Sequence, residues 1–155
     1  MRVLMLAATV VLATLAPGRA IDHGLWTKVL AGAVRQGRVD YPKLAHNPDF
    51  DRYLQELATA DPGAMANEQE RLATYLNAYN AFVIKGIVDN WPLTQVTNVA
   101  GFFDKKTYPF AGRELTLDQI ENTLARAVGD PRVHAALVCG AVGCPDLRAE
   151  AYSGA

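Results

Sequence analysis

Apolar residues recur every three to four positions over most of the chain, a period that predicts a protein built mainly of helices. The first stripe is Leu25, Trp26, Val29, Leu30, Ala33 and Val34. It follows Asp22, a residue able to cap a helix, and is expected to stop at Gly37. Val39-Asp40-Tyr41-Pro42 reads as extended, because proline disfavours helix in the residue before it. Asn47-Pro48 reads as an N-cap with proline at the first helical position. Phe50, Tyr53, Leu54 and Leu57 then share one face, up to the breaker Asp61-Pro62-Gly63.

The longest helix is expected from Asn67 or Glu68 to about Asn90, ended by Trp91-Pro92. Between Arg71 and Lys85 thirteen consecutive residues carry no formal charge. Leu72, Tyr75, Leu76, Tyr79, Phe82, Val83, Ile84, Ile87 and Val88 leave it almost no polar face, and a helix apolar all round is buried. Downstream, Tyr108-Pro109-Phe110 and Arg113-Glu114-Leu115 flank Ala111-Gly112 and predict a short hairpin. Thr116-Leu117-Asp118-Gln119 is a capping box. It opens a helix with Leu117, Ile120, Leu124 and Val128 inward, ending near Gly129-Asp130-Pro131. Val133 to Cys139 reads as a short apolar strand and Gly140 to Pro145 as a turn. No repeat or linker interrupts the pattern. The expected fold class is therefore α+β: a mostly helical single domain with a long buried central helix and a small β-sheet.

A length of 155 residues suits one domain with its own core. A formal net charge of −1 with no basic run excludes nucleic acid as a partner. The N-terminus changes the picture more. Met1-Arg2 is a short positive start, Val3 to Ala16 carries no charge, and Gly18 and Ala20 are small residues at the −3 and −1 positions of a cut after Ala20. Residues 1–20 are read as a signal peptide and 21–155 as the mature domain. The protein is expected to be exported, periplasmic or extracellular, with no stable membrane insertion after cleavage. Losing Arg2 and Arg19 takes the formal charge from −1 to −3.

Candidate chemistry concentrates in His134-Ala-Ala-Leu-Val-Cys139-Gly-Ala-Val-Gly-Cys144-Pro145. Cys139 at a strand end before a glycine-bearing turn could be a nucleophile, with backbone N–H groups freed by the turn aimed at an oxyanion. Equally, Cys139 and Cys144 could close a small disulfide loop or be inert buried thiols. A metal reading through His134, Cys139 and Cys144 lacks the spacing of common zinc motifs, and no cofactor is implied. On a regular strand Cys139 shares a face with Val133, Ala135 and Leu137, which turns His134 to the other side. Asn77 and Asn80 share a face of the central helix and serve either as a core polar cluster or as substrate-orienting amides. Glu121 beside the inward stripe is half-buried and paired, or part of a site. His23 and His46, near helix starts, are expected in solvent.

Several ordered motifs resemble the domain of unknown function 547 family. They are Leu25-Trp26 through Gly37-Arg38-Val39-Asp40-Tyr41, Tyr75-Leu76-Asn77-Ala78-Tyr79-Asn80-Ala81 and Gly101-Phe102-Phe103-Asp104, then Leu115 to Glu121, Asp130 to His134 and Cys139 to Leu147. The resemblance covers nearly all of the mature chain. It implies an exported bacterial member and, by analogy with papain-like thiol hydrolases, a Cys/His site. Asn122 stands where the family usually has His, and Asn cannot accept a proton near neutral pH. Family members usually continue for several tens of residues past the Cys-Pro motif, so the chain is expected to lack a C-terminal part and to leave Val133, Leu137 and Val138 partly exposed.

Two functions follow as expectations. One is a degenerate thiol hydrolase acting on an amide or peptide bond, with Cys139 as nucleophile and Asn77, Asn80, Glu121 and His134 around it. The other is a non-catalytic envelope binding or structural module with Cys139 and Cys144 as a disulfide. The partner in either case is a small-molecule or peptide ligand of undefined identity.

Overall fold

A computed structural model describes residues 21–141 and 143–154. The signal-peptide assignment lies outside the described residues. The stripe after His23 forms α1 (Gly24–Ala33) and runs into β1 (Val34–Arg35), which pairs antiparallel with β2 (Arg38–Val39). Asn47 caps α3 (Pro48–Ala58) as its sequence implies, accepting from the N–H groups of Asp49 and Phe50 at 3.0 and 3.1 Å. Trp26 of α1 stacks on Tyr53 and Phe50 of α3 at centroid distances of 5.1 and 5.7 Å.

The extended segment expected at 39–42 holds at Val39, in β2, and is corrected at Tyr41-Pro42. Tyr41–Leu44 is a one-turn helix, α2, with Asp40 accepting from Lys43 N–H at 3.2 Å. Pro42 sits in its first turn, where a missing N–H costs nothing.

Helix α4 (Glu68–Asp89) is the axis of the domain, buried without interruption from Leu72 to Ile84. Against it pack α2, α3 and the hairpin of β3 (Thr107–Phe110) and β4 (Arg113–Thr116), whose Tyr108 stacks on Phe82 at a centroid distance of 4.9 Å, together with the helical segment that follows. The hairpin turns at Ala111-Gly112, both with positive φ, 53° and 71°. That conformation matches the twist of the strands. Its cost at Ala111 is offset because Ala111 and Gly112 N–H groups cap the end of α3, donating to Leu57 and Ala58 carbonyls at 3.1 and 2.8 Å. The sheet component is thus two separate two-stranded pieces among the described residues.

The capping box forms: Thr116 Oγ1 accepts from Gln119 N–H at 3.2 Å and Gln119 Oε1 from Thr116 N–H at 2.9 Å. After α5 (Leu117–Gln119) the helix widens to a π turn over Ile120–Ala125, then tightens to a 3-10 turn at Arg126–Val128. The wide turn shifts the register, so Ala125 joins Leu117 and Ile120 in the core while Leu124 is only half-buried.

The strand expected at Val133 to Cys139 is also corrected. Val133–Ala136 is a short helix, α6, and the chain is extended from Leu137. Val133, Ala136 and Leu137 are all buried, at the i, i+3, i+4 spacing of a helix. A seven-residue run fits either period, and among the described residues no neighbouring strand offers it a ladder. The expectation that Val133 and Leu137 stand partly exposed therefore fails; Val138 is half-buried. Among the described residues no helix is long and apolar enough to cross a membrane.

Candidate functional site

The face of α4 that carries Asn77 and Asn80 is covered by the C-terminal segment. Asn77 Nδ2 donates to the Tyr152 carbonyl and its Oδ1 accepts the Tyr152 N–H, both at 2.9 Å. One turn on, Asn80 Nδ2 donates to the Ala136 carbonyl and its Oδ1 accepts the Val138 N–H, again both at 2.9 Å. Both side chains are buried. Their hydrogen-bonding capacity goes to the backbone on either side of the cysteine motif.

Cys139 and Cys144 are joined in a disulfide, with Cα atoms 6.0 Å apart. Neither thiol of the chain is free. Two backbone N–H groups flanking the turn are also engaged: Val138 N–H by Asn80 Oδ1 at 2.9 Å, and Cys144 N–H by the Ala141 carbonyl at 3.0 Å. Residues 133–136 are helical, so the alternation of strand faces does not separate His134 from Cys139, but His134 has another partner. Arg126 Nη1 donates to His134 Nε2 at 2.9 Å, and Arg126 Nη2 donates to Glu121 Oε1 at 2.5 Å. Since a guanidinium only donates, that imidazole nitrogen is the acceptor. Glu121, on the π turn, faces Tyr79 of α4, whose phenol is pushed well up first by burial and then by the Glu121 carboxylate. Tyr79, Glu121, Arg126 and His134 thus run in a chain from the core to the surface, and Asn122 is exposed.

Sequence reasoning missed one polar network. His23 is half-buried, not free in solvent. Its Nδ1 lies 2.7 Å from Tyr53 Oη and its Nε2 3.1 Å from Thr74 Oγ1. Thr74 Oγ1 donates to the Glu70 carbonyl at 3.0 Å, so it accepts from Nε2–H, and Nδ1 accepts from Tyr53. Burial lowers the His23 pKa to about 4, with Asp22 opposing weakly. The one signal available was the position of His23 just ahead of an amphipathic helix. His46 is exposed, as expected.

Cavities flank the covering segment. One, about 540 Å³, has Leu72, Leu76 and Val133 in its wall and Arg132, Arg148 and Tyr152 at its edge. Another, about 240 Å³, lies by His23, Glu70 and Tyr152. Among the described residues no group of three or more His, Cys, Asp or Glu is placed to hold a metal ion.

A family model described as protein of unknown function, DUF547, matches residues 63–155. That span holds α4, the hairpin, the π turn and both cysteines. No curated protein and no solved structure matches the chain.

Proposed function

The chain belongs to the domain of unknown function 547 family, and we propose that it acts as an exported, disulfide-bearing binding module rather than as a working thiol hydrolase. The observation that carries this reading is the Cys139–Cys144 bond. Both cysteines of the chain are in it, and nucleophilic catalysis by cysteine needs a thiolate. The amides of Asn77 and Asn80 support it, because they are spent on backbone and leave little to orient a substrate. Export fits the same bond, since disulfides persist in oxidising compartments. The signal pattern of residues 1–20 argues for that compartment independently. The ligand is a small molecule or a peptide, and the cavity of about 540 Å³ beside Tyr152 is of the size such ligands use.

The test is a thiol titration of the exported protein, purified without reductant. Absence of free thiols, native or denatured, supports the module. Two free thiols, one reacting fast near neutral pH, restore the hydrolase and sink this reading. N-terminal sequencing of the same sample is expected to start at Ile21; a sample starting at Met1 refutes cleavage.

A further inference from the structure

We propose that Cys139 and Cys144 form a reversible exchange site for an external dithiol, with the domain folded in both redox states. This rests on the disulfide of the preceding reading and adds that the bond opens and closes without unfolding.

The anchors on either side of the bond carry the argument. Upstream, Leu137 is buried and the Ala136 carbonyl and Val138 N–H are held by Asn80. Downstream, Leu147 is buried, Ala151 N–H donates to Thr27 Oγ1 at 3.1 Å, and Tyr152 is held by Asn77. Inside the loop, Gly140 adopts φ 77° against α4, where a Cβ would come within 2.8 Å of Ile87 Cδ1. None of these contacts passes through sulfur. Cleaving the bond therefore leaves both cysteines tethered at short range, and re-closure is a local, intramolecular event.

Access points the same way. Cys139 and Cys144 are each half-buried, and Gly140, Ala141, Gly143 and Pro145 beside them are exposed. A disulfide within reach of solvent exchanges more readily than a fully buried one, and small exposed neighbours leave the attacking thiolate a path to sulfur. The chain has no third cysteine, so the cysteine released by the first exchange can only return to the mixed disulfide and restore the bond. Net reduction therefore takes two external sulfurs, which a dithiol supplies in one molecule. One donor thiolate attacks a cystine Sγ, the protein S–S bond breaks, and the other protein sulfur leaves with the electron pair and takes a proton from water. The second donor thiolate then attacks the donor sulfur of the mixed disulfide and releases the second protein thiol. The donor loses two electrons to become a cyclic disulfide, and the protein gains two thiols. The reduced state would hold a free Cys139 next to the Asn80 clamp, so the nucleophile of the rival reading belongs to this state alone.

The experiment uses the exported chain without reductant. Alkylation in denaturant first establishes the bond; two thiols at that stage defeat the preceding reading, whereas a verified bond leaves only the present inference under test. Dithiothreitol is then added in native buffer, thiols are trapped over time, and near-ultraviolet circular dichroism is followed. The expected result is appearance of both thiols at a rate within about a hundredfold of that in concentrated urea. The native spectrum should persist, and the bond should return with oxidised glutathione. Slower reduction, or loss of the spectrum on reduction, overturns the proposal.

Discussion

Asn77 binds Tyr152 through both backbone groups of that one residue, as a neighbouring β-strand would. A helix has no backbone to lend, because its N–H and C=O groups are already paired within it. Two carboxamides on one face of α4 supply the missing ladder, Asn77 for Tyr152 and Asn80 for Ala136 and Val138. The segment that carries the disulfide is thereby held across the central helix.

Asn80→Ala is expected to destabilise the domain by about 1–3 kcal/mol, since it orphans groups in a buried setting. Asn77→Ala should sit at the lower end, because Tyr152 is only half-buried and water can replace the lost bonds. Denaturant midpoints measure both. No change in either would mean that the clamps are absent in solution.

Tyr108 Oη is buried without a hydrogen-bond partner among the described residues. Tyr108→Phe is therefore expected to be neutral or to stabilise by up to about 1 kcal/mol. Gly86 explains the close approach: a Cβ there would meet Tyr108 Oη at 2.6 Å and Phe102 Cζ at 2.8 Å. Gly86→Ala should lose about 1–3 kcal/mol to overpacking, more than the roughly 1 kcal/mol alanine normally gains in a helix. Adding Tyr108→Phe to Gly86→Ala should recover part of that loss. Strict additivity of the two changes in melting would contradict the contact.

His23 makes stability depend on pH. Its folded pKa, about 4, lies below the ordinary 6.5 because burial disfavours the charged ring. The unfolded chain takes up the proton first. Stability is therefore complete above about pH 6.5 and falls as pH drops toward 4, by at most about 3 kcal/mol. Protonation also puts a hydrogen on Nδ1, where Tyr53 now donates. Urea midpoints from about pH 7.5 to about 4, compared with His23→Gln, isolate this share from the carboxylates. Equal slopes in the two proteins would refute it.

Replacing Cys139 and Cys144 together by Ser is expected to cost about 2 kcal/mol, the loop-closure entropy of a short ring. Cooperative melting should remain, at a lower temperature, because the flanking anchors do not involve sulfur. Loss of cooperative melting would show that the bond, and not the carboxamides, holds the segment.

By itself the sequence determined whatever depends on neighbours along the chain. The uncharged run after Arg71 specified a buried helix, Asn47-Pro48 a helix start and Thr116 to Gln119 a capping box, because periodicity and caps are local physics. The family was legible too, in motifs from Tyr75 to Leu147 that lie within the matched span. Tertiary structure decided the rest. Val133 to Cys139 had no period of its own strong enough to choose, and became helix then extended chain because α4 offers it apolar contacts and one carboxamide but no strand. His23 looked solvent-bound until Tyr53 and Thr74, 30 and 51 residues away, closed around it. Whether Asn77 and Asn80 face a substrate or a backbone, and whether two cysteines five apart are thiols or a bond, depends on which distant segment lies on α4; spacing along the chain carries no record of that contact.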